Sequence, residues 1–140
     1  MTRSVTAISA LAALATLFAM PAAAEDSEQA PLPKGEAELA ELLDGYQAGE
    51  PVKCLRSSQR DRLRVIDDTA LVFRDRQTIY VNRTNSPRFL DTFDVPVFKL
   101  FGNNLCRHDQ IEMYSRDGRF TGPIVTLSDF VPYTKVDTAD

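Results

Sequence analysis

Apolar positions along this chain repeat with a helical period early on and with a period of two from Cys54 onward. Between Glu36 and Tyr46, the residues Leu39, Leu42, Leu43 and Tyr46 fall at i, i+3, i+4 and i+7, with Glu36, Glu38, Glu41 and Asp44 on the remaining arc. That spacing predicts a short amphipathic helix. Glu36 and Glu38 suit its positive end, and Gly45, Gly49 and Pro51 supply the stop. After Cys54 the alternation predicts strands over 62–66, 70–74 and 78–83, separated by the polar turns Asp67-Asp68-Thr69 and Asp75-Arg76-Gln77. Further strands are expected over 97–101, 110–115 and 120–127. Arg116-Asp117-Gly118 serves as a hairpin turn, and Pro123 marks an edge position or a bulge. Phe130, Val131 and Tyr133 close the core. The expected fold is mainly β: an antiparallel sheet or partly closed barrel of about six short strands, with one N-terminal amphipathic helix and one disulfide.

The first 24 residues follow neither period. Arg3 precedes an apolar run from Val5 to Met20, Pro21 breaks it, and Ala22-Ala23-Ala24 stands before Glu25-Asp26. A charged start, a short apolar stretch and small residues at a cleavage point predict a secretory signal peptide over 1–24. The alternative is a retained membrane anchor, but the run is shorter than the roughly 20 residues a bilayer span needs. Glu25 to Lys34, with Pro31 and Pro33, reads as a linker. A single domain is expected over 35–135, and a polar tail over 136–140.

Cleavage after Ala24 leaves 116 of the 140 residues, enough for one hydrophobic core. It removes only Arg3 from the 16 basic residues, against 20 acidic ones, for a net charge of −5. An acidic chain is a poor match for nucleic acid, and stable membrane insertion after cleavage is not expected. Two cysteines, Cys54 and Cys106, remain. In an oxidising compartment an even count reads as a structural bridge. A thiol nucleophile or metal-ligand role is the alternative.

Candidate chemistry is sparse. His108-Asp109 follows Cys106 closely, but adjacent strand residues point to opposite faces, and a surface His beside a turn-stabilising Asp is the simpler reading. Asp91 with Asp94, and Asp109 with Glu112, are carboxylate pairs compatible with acid–base work. They lack the dense oxygen pattern of a calcium loop. With a single His and a bridged cysteine pair, no metal site or cofactor is expected. Arg60, Arg62 and Arg64 alternate, so a strand would carry them on one face as a candidate anion-binding set. Cross-strand pairing with Asp61, Asp67, Asp68 and Asp75 is the competing explanation. Asn82-Arg83-Thr84 matches a glycosylation sequon, meaningful only in a eukaryotic secretory pathway.

From Cys54 the order of features resembles an uncharacterised family of small exported bacterial proteins that carry a domain of unknown function. The matching residues are Cys54; Arg64-Val65-Ile66-Asp67-Asp68-Thr69; Tyr80-Val81-Asn82; Leu105-Cys106 with Asp109 and Ile111; and Gly118 followed by Phe130-Val131-Pro132. They span about residues 54–133, leaving the helix uncovered. The resemblance implies a bacterial periplasmic, β-rich disulfide domain and supplies no catalytic residues. The family carries two further cysteines, near Asn85-Ser86-Pro87 and near Ile124-Val125, which this chain lacks. If those two pair with each other, the resemblance implies that Cys54 and Cys106 are the remaining bonded pair.

The resulting expectation is an exported periplasmic β domain that acts as a binding or structural envelope module rather than as an enzyme. The loops 82–94 and 118–123 are its first candidate contact regions. The alternatives are a small hydrolase using a carboxylate pair or His108, and an anion or polyanion binder using Arg60, Arg62 and Arg64.

Overall fold

The computed structural model describes residues 32–136 except Arg119. The signal-peptide reading of 1–24, most of the 25–34 linker and all but the first residue of the tail lie outside them. The elements are helix α1 (Lys34–Leu42) and ten strands: β1 (Tyr46–Ala48), β2 (Cys54–Leu55), β3 (Leu63–Ile66), β4 (Ala70–Asp75), β5 (Thr78–Asn82), β6 (Asp94–Lys99), β7 (Leu105–Cys106), β8 (Gln110–Ser115), β9 (Thr121–Thr126) and β10 (Phe130–Lys135). They form a five-stranded sheet in the order β1-β10-β5-β4-β3, a three-stranded sheet β6-β8-β9 and the pair β2-β7. Every pairing is antiparallel.

The fold class is the expected one, mainly β with one helix and one disulfide, but the sheets do not close into a barrel. Four strands exceed the expected six: β1, β2 and β7 hold only two or three residues, too few to display a period, and β10 forms over the residues expected only to close the core. The helix ends at Leu42, short of Tyr46, because the chain turns at Gly45 (φ 75°) and Tyr46 then enters β1. β6 starts at Asp94 rather than Val97 and ends at Lys99 rather than Phe101.

Alternation in the five-stranded sheet makes two apolar faces, and each is covered. Ile66, Ala70, Val72, Ile79 and Val81 pack with Leu39 of α1, bordered by Leu42, Leu43, Tyr46 and Tyr133. On the other face Val65, Leu71, Phe73 and Phe130 meet Ile111, Met113 and Val125 of the three-stranded sheet, together with Leu55, Leu90, Leu105 and Leu127. Phe73 joins these layers, with its ring centroid 6.2 Å from Phe98 and 5.8 Å from Phe130. The order of layers is therefore helix, five-stranded sheet, three-stranded sheet. α1 is also tied to the sheet by the ion pairs Arg64–Glu38 (2.6 Å) and Arg83–Glu36 (2.5 Å).

The disulfide joins Cys54 and Cys106, directly opposite one another across β2 and β7 with Cα atoms 4.0 Å apart. The neighbouring pair, Leu55 and Leu105, is fully buried. The bridge thus sits at the rim of the core and its neighbours point inward.

Candidate functional site

His108 occupies a turn at φ 72° and is exposed. Its backbone N–H donates to Leu127 O (2.9 Å). Asp109 closes the same turn by accepting the Cys106 N–H on Oδ2 (2.7 Å). A cavity of about 360 Å³ gathers His108 with Asn85, Arg107, Ser128 and Asp129, but Asp129 faces Arg107 at 3.5 Å. Ser128 is engaged through its backbone, which bonds the Asn82 side chain from both sides. Among the described residues no acid or hydroxyl is hydrogen-bonded to the His108 ring, so a nucleophile–base–orienter arrangement is not assembled there.

The carboxylate pairs also separate by role. Asp91 accepts the Phe93 N–H (2.8 Å) and so shapes its own loop. Asp91 and Asp94 share an open cavity of about 350 Å³ with Asp67, Asp68 and Arg88. Asp67 is occupied there by the Thr92 N–H (2.6 Å) and the Thr92 hydroxyl, and these bonds hold its carboxyl below the usual range. Asp109 and Glu112 do not act together, because Glu112 lies on the outer face of β8, 2.9 Å from Lys99 Nζ. No group of three or more His, Cys, Asp or Glu among the described residues is arranged to hold a metal. Asn82, the sequon residue, is fully buried and bonded to Ser128, so it is closed to modification.

The three arginines do not share a strand face. β3 begins only at Leu63, and Arg60 ends the 3₁₀ turn Ser57–Gln59. Arg62 and Arg64 do fall together, and Arg74 joins them from β4. The ladder pairs Leu63 with Phe73 and continues through the Arg74 N–H to Arg62 O (3.0 Å). Together with Leu42 and Val72 they line an open cavity of about 200 Å³. Of these three guanidiniums only that of Arg64 has an ion-pair partner among the described residues.

The sequence reading missed one surface entirely. In the three-stranded sheet, Phe98, Ile111, Met113 and Val125 face inward. The register places Val95 opposite Tyr114, Val97 opposite Glu112, and Glu112 opposite Ile124 on the outer face. All four apolar residues of that face are exposed, from 36% at Tyr114 to 51% at Ile124. Phe93 (77%) and Phe120 (72%) stand at one end of it, where Arg116 Nε donates to Phe93 O (2.8 Å) and joins the two loops. Lys99 and Glu112, charged residues of this face, bond to each other (2.9 Å). That bond raises the ammonium pKa and lowers the carboxyl pKa. Partial burial, more than the Glu112 bond, raises the Tyr114 hydroxyl. A signal was available in the unbroken run Val95-Pro96-Val97-Phe98, where a half-buried strand should alternate with polar residues.

No protein-family model matches the chain, and neither a curated protein nor a solved structure shows significant similarity to it.

Proposed function

We propose that the protein is a non-catalytic binding module of the bacterial periplasm, exported through Met1–Ala24, and that it contacts a partner protein through the outer face of the three-stranded sheet. One observation carries this reading: Val95, Val97, Tyr114 and Ile124 form a shared exposed apolar face on a sheet whose other side is core. Contiguous exposed apolar patches mark interaction sites in soluble proteins. The face is a sheet surface rather than a cleft, which suits a protein more than a small molecule. Lys99 and Glu112 neutralise each other, so the partner needs apolar rather than charged complementarity.

Size selects the kind of contact. Three strands of about six residues cover roughly 300 Å², well below the ~800 Å² per partner of a standard stable interface. Phe93 and Phe120 extend the face at one end without closing that gap. A transient complex with a different protein fits better than an obligate pair of identical chains.

A photo-reactive phenylalanine analogue introduced at Val97 tests this in producing cells. The expected result is a discrete adduct with another protein that disappears in an Ile124→Lys background of unchanged thermal stability. It should also be absent when the analogue sits at the exposed Gln47 on β1. An adduct insensitive to Ile124→Lys, no adduct, or an adduct between two copies of the chain would each overturn the proposal. Mass measurement of the exported product, expected to begin at Glu25, tests its location separately.

A further inference from the structure

We propose a second site, independent of the outer sheet face and on the opposite side of the five-stranded sheet: a receptor for a phosphate monoester dianion formed by Arg62 and Arg74, with Arg64 at its rim. Arg62 and Arg74 are cross-strand neighbours, joined by the Arg74 N–H to Arg62 O bond. Like charges directly opposite one another on adjacent strands are destabilising. Arg64 lies on the same face, opposite Val72. An ordinary solvent face would intersperse acids. Here Glu38 and Glu41 line a neighbouring cavity with Leu42 and Arg64, and no acid among the described residues lines the cavity of Arg62 and Arg74. The Arg64–Glu38 bond (2.6 Å) stands at the boundary between the two cavities. It neutralises Arg64 and leaves the charges of Arg62 and Arg74 without an ion-pair partner among the described residues.

Two uncompensated guanidiniums ask for a divalent anion. Planar forks on adjacent strands match the oxygens of a single phosphoryl group. Leu42 and Val72 also line the cavity, whose volume of about 200 Å³ admits a small apolar substituent beside the phosphoryl group. A phosphate monoester supplies two charges near neutral pH, whereas a diester or a carboxylate supplies one. The sheet backbone sets the two arginines side by side on one face, at directly opposed ladder positions.

Phenyl phosphate is the probe, with dimethyl phosphate and acetate as monoanion controls at matched ionic strength. Vesicles of phosphatidylcholine carrying phosphatidic acid separate a lipid-borne monoester from a soluble one. In the arginine side-chain NMR spectrum of the protein, phenyl phosphate should move the Nε–Hε signals of Arg62 and Arg74 and leave those of Arg60 and Arg88 in place. The double variant Arg62→Gln, Arg74→Gln should weaken binding at least about tenfold, the loss expected for a charge-assisted hydrogen bond. Arg60→Gln should bind as the parent does. Selective binding of either monoester source supports the site and identifies that source. The proposal fails if the Arg62 and Arg74 signals do not respond to any monoester, if the monoanions move them equally, or if Arg60→Gln weakens binding as much as the double variant.

Discussion

Gly35 shows how much one side chain would cost this fold. It lies in the first turn of α1 and is buried. A Cβ built there would stand 2.0 Å from Thr69 Oγ1 and 2.3 Å from the backbone oxygen of Asp67. Alanine favours a helix interior over glycine by up to about 1 kcal/mol, so helix propensity alone predicts a gain from Gly35→Ala. Contact with a backbone oxygen in a hydrogen-bonded turn cannot be relieved by rotating a side chain, and overpacking of this kind costs about 1–3 kcal/mol. The clash wins, and Gly35→Ala should lower the urea midpoint. A midpoint equal to or above that of the parent would show that α1 lifts away from the β3–β4 turn at little cost.

At the scale of elements, the β3–β4 turn clamps the loop that leads into β6. Asp67 binds Thr92 through its carboxylate, and the Asp68 N–H donates to Leu90 O (3.0 Å). The Asp67 carboxyl is held below its ordinary value by Thr92, and that of Glu36 by Arg83. A depressed carboxyl pKa contributes stability that is present above the unfolded value, near pH 4, and is lost as pH falls through the folded value. Stability measured by urea should therefore drop on acidification below about pH 4. The double variant Asp67→Ala, Glu36→Ala should start lower and show a shallower drop. Parallel pH profiles for parent and variant would refute this assignment. The polar run Asp67-Asp68-Thr69 announced this turn in the sequence, short β-branched or aromatic runs between polar turns announced β3, β4 and β5, and clean alternation announced β8. The contacts of the turn were not legible, because Thr92 and Leu90 are more than twenty residues away. The outer face of β6 was obscured for another reason: the strand expected over 97–101 leaves out Val95, which points with Val97 away from the core that Phe98 enters. Arg74 likewise escaped notice beside Arg62, because only strand pairing brings positions 62 and 74 together.

At the scale of the whole molecule, the covalent link decides how the layers are held. The bridge between Cys54 and Cys106 spans 52 residues. That loop contains β3, β4 and β5 of the five-stranded sheet and β6 of the three-stranded one. Closing a loop of this length restricts the unfolded chain by about 4 kcal/mol in the chain-entropy model, a large share of the ~5–15 kcal/mol that holds a typical domain together. Beside the bridge, Leu55 and Leu105 pack into the core through their own side chains, and removing the two sulfurs deletes none of those contacts. The double variant Cys54→Ala, Cys106→Ala should therefore keep the far-UV circular dichroism of the parent and unfold at least about 10 °C lower. Reduction of the parent should lower its Tm by a similar amount and leave the variant unchanged. If the variant instead unfolds at the parent's temperature, the packing between the two larger sheets alone sets the stability, and the short β2–β7 pair serves only to close the rim.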